Sequence, residues 1–100
     1  MSGQVFIDVD PRALHLPPSR LQGADPAKLQ RQIAKYGRRT DGMPPIQAYQ
    51  GSDGAIMIQD GVTRATRIAK LLPGHLVTVE IMKTLRQPLG GYPTVGDKLP

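Results

Sequence analysis

The hydrophobic period of the chain changes at one point, and that change constrains the fold more than any other feature. Ala55-Ile56-Met57-Ile58-Gln59 reads as a β-strand of β-branched and apolar residues, and Asp60-Gly61 closes it. Immediately afterwards Val62, Ala65, Ile68 or Ala69, and Leu72 recur at helical spacing, until Pro73-Gly74 ends the pattern. A strand therefore runs into a helix through a two-residue turn. This leaves no room for a long linker and calls for a fold in which a helix packs back on a sheet.

The flanking segments extend the pattern. Val5-Phe6-Ile7-Asp8-Val9 predicts a first strand, closed by Asp10-Pro11. Leu14 to Gly23 carries Pro17-Pro18 and no clear period, so an extended or irregular path is expected there. Asp25 is placed to cap a helix and Pro26 to occupy its first position. Leu29, Ile33 and Tyr36 then form one apolar stripe, and Gly37 is a natural stop. After the loop from Asp41 to Pro45, Ile46-Gln47-Ala48-Tyr49 predicts a strand. Gln50-Gly51-Ser52-Asp53-Gly54 joins it to the next as a hairpin, with Asp53-Gly54 supplying turn chemistry. Val77-Thr78-Val79-Glu80-Ile81 alternates as a last strand with one buried face. The segment from Lys83 to Pro100 holds three prolines and three glycines; a strap across the domain and a flexible tether both fit it. The expected class is α/β (α+β), a mixed sheet with packed helices, in a domain spanning residues 1–82 followed by a tail at 83–100.

Composition narrows the chemistry. One hundred residues suit a single domain with a modest core. With no cysteine, disulfides, thiolate zinc sites and cysteine nucleophiles are excluded. One Phe, three Tyr and no Trp weaken the case for an aromatic base-stacking platform. No run of about 18 apolar residues exists to span a membrane, and Met1-Ser2-Gly3-Gln4 does not start a signal peptide, so a cytoplasmic location is expected. Thirteen Lys plus Arg against eight Asp plus Glu give a net charge of +5. This favours phosphate-bearing partners, although a charge of that size also serves solubility alone.

Two basic groups stand out. At the strand-to-helix turn, the amides after Gly61 and the helix dipole behind them suit an anion, with Thr63 as a cap or phosphate donor and Arg64 as a cation on the first turn. The other reading of this turn is purely structural, with Arg64 and Arg67 on a solvated face. On the earlier helix, Lys28, Arg31, Lys35, Arg38 and Arg39 fall on one side if the register continues past Gly37, a solvated face or, through the first four, a surface for a polyanion. His15 and His75 are far apart, and neither is expected to bind a metal. Asp60 fits a turn role and a magnesium-ligating role equally. Glu80 has no visible acidic partner, and no nucleophilic triad can be read.

The order of these pieces resembles the ParB/sulfiredoxin superfamily. The resemblance rests on Asp60-Gly61-Val62-Thr63-Arg64-Ala65-Thr66-Arg67 between Ile56-Met57-Ile58 and the strand around Val77-Thr78-Val79. Leu16-Pro17-Pro18-Ser19-Arg20 is similar to the family's early proline-and-arginine box, and Ile33, Gly37, Pro45 and Ile46 fit its helix, glycine and following strand. The likeness spans roughly residues 5 to 82. It implies a nucleotide-phosphate site, CTP in ParB proteins and ATP in sulfiredoxins, formed here by Gly61, Val62, Thr63 and Arg64 with Arg20 assisting. A nucleoside triphosphate with magnesium would be the ligand. Val62 stands where sulfiredoxins carry the reactive cysteine of Gly-Cys-His-Arg, so sulfinic-acid reduction is not implied. The acidic residue and first arginine of the ParB Gly-Glu-Arg-Arg are also absent. One hundred residues leave no space for the DNA-reading and dimerisation domains of partition proteins, so operator recognition like theirs is not expected. Two functions remain open: a nucleotide- or phosphate-binding module acting on or binding nucleic acid, and a non-catalytic protein-interaction module on a degenerate scaffold.

Overall fold

The computed structural model describes residues 4–100; Met1-Ser2-Gly3, part of the segment read above as no signal peptide, lie outside the described residues. The chain forms an α+β fold with two α-helices and a four-stranded mixed sheet. Strands β1 (Val5–Val9), β2 (Ile46–Gln50), β3 (Ile56–Asp60) and β4 (Val77–Thr84) lie in the order β1-β4-β2-β3. β1 pairs antiparallel with β4, β4 parallel with β2, and β2 antiparallel with β3. The β2–β3 hairpin is the connection expected from Asp53-Gly54, with Gly54 at a φ of 82°. The last strand runs three residues beyond Ile81, because β4 follows β2 through a register shift at Ala48/Tyr49 and keeps pairing to Thr84.

Helix α1 (Pro26–Tyr36) begins as its sequence requires: the Asp25 carboxylate accepts from the Ala27 amide, and Pro26 occupies the first turn. It ends at Gly37, which adopts a φ of 56° and donates its amide to the Ile33 carbonyl. Leu29 is buried, but the apolar stripe does not continue evenly, and Tyr36 is 39% exposed. Helix α2 (Val62–Leu71) is the more deeply packed of the two. Ala65, Ile68 and Ala69 face Ile46 and Ala48 of β2, Ile58 of β3, and Val77 and Val79 of β4 in one apolar cluster. Small residues at positions 65 and 69 let this helix lie close to the sheet, and α1 packs against α2.

The proline-rich segment after β1 is irregular, with 3-10 turns at Pro11–Ala13 and Pro18–Arg20. Between those turns it does something its composition does not announce. The His15 amide donates to the Ile56 carbonyl, and the Ile58 amide donates to the His15 carbonyl, so Leu14–Leu16 lines the free edge of β3. The C-terminal segment covers the other side: Leu16 donates to Pro93, and Val95 donates to Leu14. Residues after β4 thus form a strap. Leu89 and Val95 are buried, and Asp53 holds the strap through the Leu89 and Gly90 amides at 3.1 and 2.9 Å. No helix among the described residues is long and apolar enough to cross a membrane.

Candidate functional site

Gly61 makes the turn from β3 into α2. Its φ of 119° is closed to side chains with a Cβ, and the surroundings exclude one as well. A Cβ there would lie 2.8 Å from Ile46 Cδ1 and 3.0 Å from Arg64 Nη2. Gly61 also occupies the N-cap position of α2 without a capping side chain. The first intrahelical bond runs from the Ala65 amide to the Gly61 carbonyl, so the amides of Val62, Thr63 and Arg64 precede it. Thr63 is therefore inside the first turn, which excludes the cap among the two roles read for it from sequence. The first turn has no acidic residue to offset the positive end of the dipole.

A cleft of about 360 Å³ opens over this turn. Gly61, Val62, Thr63 and Arg64 line it from below, Arg20 from the 3-10 turn, and Lys28 from α1. The structure thus brings Arg20, fully forty residues away in sequence, to the same cleft as the turn. Asp60 adds the cleft's one carboxylate; its side chain is 67% exposed and lies 3.8 Å from Arg64 Nη2. An ion pair of that length at the surface is weak. Arg64 leans back instead, donating from Nη2 to the Pro45 carbonyl at 3.3 Å, and its buried Nε has no hydrogen-bond partner.

The basic side chains of α1 divide. Lys28, Arg31 and Lys35 line a shallow groove that continues the cleft past Thr63 and Tyr36. Arg38 does not join them: Gly37 breaks the register, and Arg38 sits in the turn beyond the helix. Arg67 differs from the solvated position considered above, being only 2% exposed. Its Nη1 donates to the carbonyls of Gly37 and Arg39 at 2.7 and 2.8 Å, and its Nε to Gln32 Oε1 at 3.4 Å. Burial lowers its pKa from the ordinary arginine value, partly offset by Tyr36. Gln32, which the sequence did not single out, borders both the cleft and the groove. A polar residue between Arg31 and Ile33 gives no sign in sequence that it faces inward.

His15 turns its Nδ1 to the Tyr92 carbonyl at 2.7 Å, and because a carbonyl can only accept, Nδ1 carries the hydrogen. Among the described residues no three His, Asp or Glu side chains gather in a way that could hold a metal ion. No protein-family model and no curated protein sequence matches the chain.

Proposed function

We propose that this chain is a small phosphate-binding module, with a nucleotide as its ligand and a ParB/sulfiredoxin-like arrangement as its scaffold. The observation that carries the reading is the uncapped start of α2. Three amides and the positive end of a helix dipole with no acidic residue in its first turn lie under a cleft edged by Arg20, Lys28 and Arg64, with Asp60 its one carboxylate. The strand–Asp-Gly–helix order and the return of Arg20 to the same cleft support the family resemblance. The polyphosphate would lie over Val62 and Thr63. Arg64 and Lys28 would neutralise charge, and the Thr63 hydroxyl would add a donor. Asp60 is the cleft's single carboxylate, so magnesium would come bound to the phosphates rather than to a protein cage. A cytoplasmic setting, where nucleoside triphosphates and magnesium are at hand, goes with this reading. The groove beside Lys28, Arg31 and Lys35 extends it to nucleic acid, whose backbone offers the same phosphates.

A thermal-shift panel of nucleoside triphosphates with magnesium tests the proposal, since a ligand bound only to the folded state raises the melting temperature by mass action. Stabilisation at millimolar nucleotide, lost in Arg64→Ala and in Arg20→Ala, is the expected result. No stabilisation of the wild-type chain by any nucleotide would remove the proposal.

A second reading has one observation in its favour. Phe6 and Met82 are 49% and 47% exposed and are diagonal neighbours on β1 and β4, with β1 at the sheet edge. An apolar pair beside an open edge suits a protein partner that adds a strand. Edge pairing would leave the nucleotide panel silent and would fail in Phe6→Lys.

A further inference from the structure

Arg67 is a buried cation whose acceptors are all neutral: two carbonyls, the Gln32 amide oxygen, and the Met43 thioether. Nη2 reaches only that thioether, at 3.6 Å, a weak acceptor. Among the described residues no carboxylate forms an ion pair with it. One turn earlier on the same face of α2, Arg64 has its buried Nε unpartnered. Buried donors without acceptors, and a buried charge without a counter-charge, are both costly arrangements. Two of them side by side on one helix call for a common cause.

Both arginines line one pocket of about 190 Å³ between the end of α1, the loop leading to β2, and α2. Arg39 stands at its rim, Gln32 and Tyr36 form the α1 side, and Asp41 is its single carboxylate. The lining thus sets three arginines against one carboxylate, with Arg39 Nη2 donating to the Lys35 carbonyl at 3.0 Å. The pocket is smaller than the roughly 300 Å³ at which drug-sized ligand sites begin, so it suits a compact group. Guanidinium forks match the planar or tetrahedral oxygens of oxyanions, which supply acceptors and countercharge together.

From this geometry we infer that the pocket is a second oxyanion site, distinct from the cleft over Gly61, taking a phosphate group or a small carboxylate. Arg64 Nε and Arg67 Nη2 donate to the anion, and Arg39 adds positive charge at the rim, its Nη2 held by the Lys35 carbonyl. Arg64 is shared with the Gly61 cleft, whereas Arg39, Asp41 and Arg67 line this pocket and not that one. The inference therefore stands whether or not the cleft binds a nucleotide.

The test is a nitrogen–proton correlation NMR titration of the full chain with inorganic phosphate, and separately with malonate, at ionic strength held constant with chloride. Saturable shifts are expected at the Arg64 Nε–H and the Gly42 and Met43 amides. Saturation by phosphate alone identifies a phosphoryl group, and saturation by malonate as well a carboxylate-tolerant site. Arg39→Ala should weaken binding about threefold and Asp41→Asn strengthen it about threefold, the range of a partly exposed charge. Both residues are exposed, so neither change threatens the fold. Arg20→Ala, which alters only the Gly61 cleft of the two, should leave these shifts in place. Movement of the Val62 and Thr63 amides alone would overturn the inference while leaving the nucleotide reading intact. Affinity that is indifferent to both Arg39→Ala and Asp41→Asn would overturn it too.

Discussion

Arg67 Nη1 donates to the Gly37 carbonyl at 2.7 Å, tying the C-terminal end of α1 to the middle of α2. The same nitrogen holds the Arg39 carbonyl, and the guanidinium carbon lies 5.4 Å from the centre of the Tyr36 ring. One side chain thereby satisfies carbonyls at and beyond a helix end that would otherwise lack donors. Arg67→Ala should lower unfolding stability by about 2–4 kcal/mol in urea denaturation, since two carbonyls lose their donor. Arg67→Lys should recover only part of this, because an ammonium lacks the planar fork. Full recovery by lysine would show that charge, not geometry, is what the position requires.

Gly61 is fixed by conformation and by space. Gly61→Ala places a methyl 2.8 Å from Ile46 Cδ1 at a φ of 119°, so both the backbone and a core side chain must shift. A loss of about 2–4 kcal/mol is expected, combining left-handed strain with overpacking. At about 4–8 °C per kcal/mol for a chain of this size, the melting temperature should fall by more than about 8 °C. An unchanged melting temperature would mean that the turn adopts another geometry in solution.

Much of this architecture was legible because local signals and tertiary packing agree. Asp25-Pro26 starts α1, Gly37 ends it, and the period change at Asp60-Gly61 marks the passage from β3 to α2. The basic turn could be read for the same reason, since Gly61 and Arg64 lie three residues apart in sequence. What escaped depends on long-range contacts. Nothing local distinguishes Arg67, which is buried against the end of α1, from Arg64, three residues earlier, which lines the cleft. Gln32 looks like any polar helical residue until α2 is set beside it. The strap is held by Asp53 and by Leu14–Leu16, partners dozens of residues away, and its prolines and glycines suit a tether equally well.

Asp53 gives the fold a pH dependence with a definite sign. Its carboxylate accepts from the Leu89, Gly90 and Ala55 amides, and these bonds hold its pKa below the ordinary value of 3.8. A group whose pKa is lower in the folded state binds fewer protons there than when unfolded, so stability rises with pH through that window. The contribution is complete above the unfolded pKa and is lost as pH falls through the folded one. Asp53→Asn should therefore melt below the wild type at about pH 6, and the gap should narrow as pH drops below the ordinary carboxylate value of 3.8. Parallel melting curves across that range would show that the carboxylate charge plays no part.

The strap should contribute to stability rather than merely lie on the surface. Leu89 is 1% exposed, and its amide is held by Asp53. Leu89→Ala should cost about 2–5 kcal/mol, the range for emptying a buried leucine site. Protease digestion under native conditions gives a second measure. The variant should be cut between Arg86 and Pro100 at concentrations that leave the wild type whole, since detaching this segment exposes backbone that Leu14 and Leu16 otherwise hold.

The groove beside α1 separates phosphate contact from general basicity. Lys28, Arg31 and Lys35 line it, whereas Arg38 lies beyond the break at Gly37. If a duplex binds there through three phosphate contacts, log affinity should fall against log salt with a slope of about −2.7. Removing Lys28 and Arg31 together should flatten that slope to about −0.9, while Arg38→Ala should leave it unchanged. Fluorescence anisotropy with a short duplex, repeated across salt concentrations, measures both. Equal losses from Arg38→Ala and Arg31→Ala would mean that net charge drives binding and that this groove is not the surface engaged.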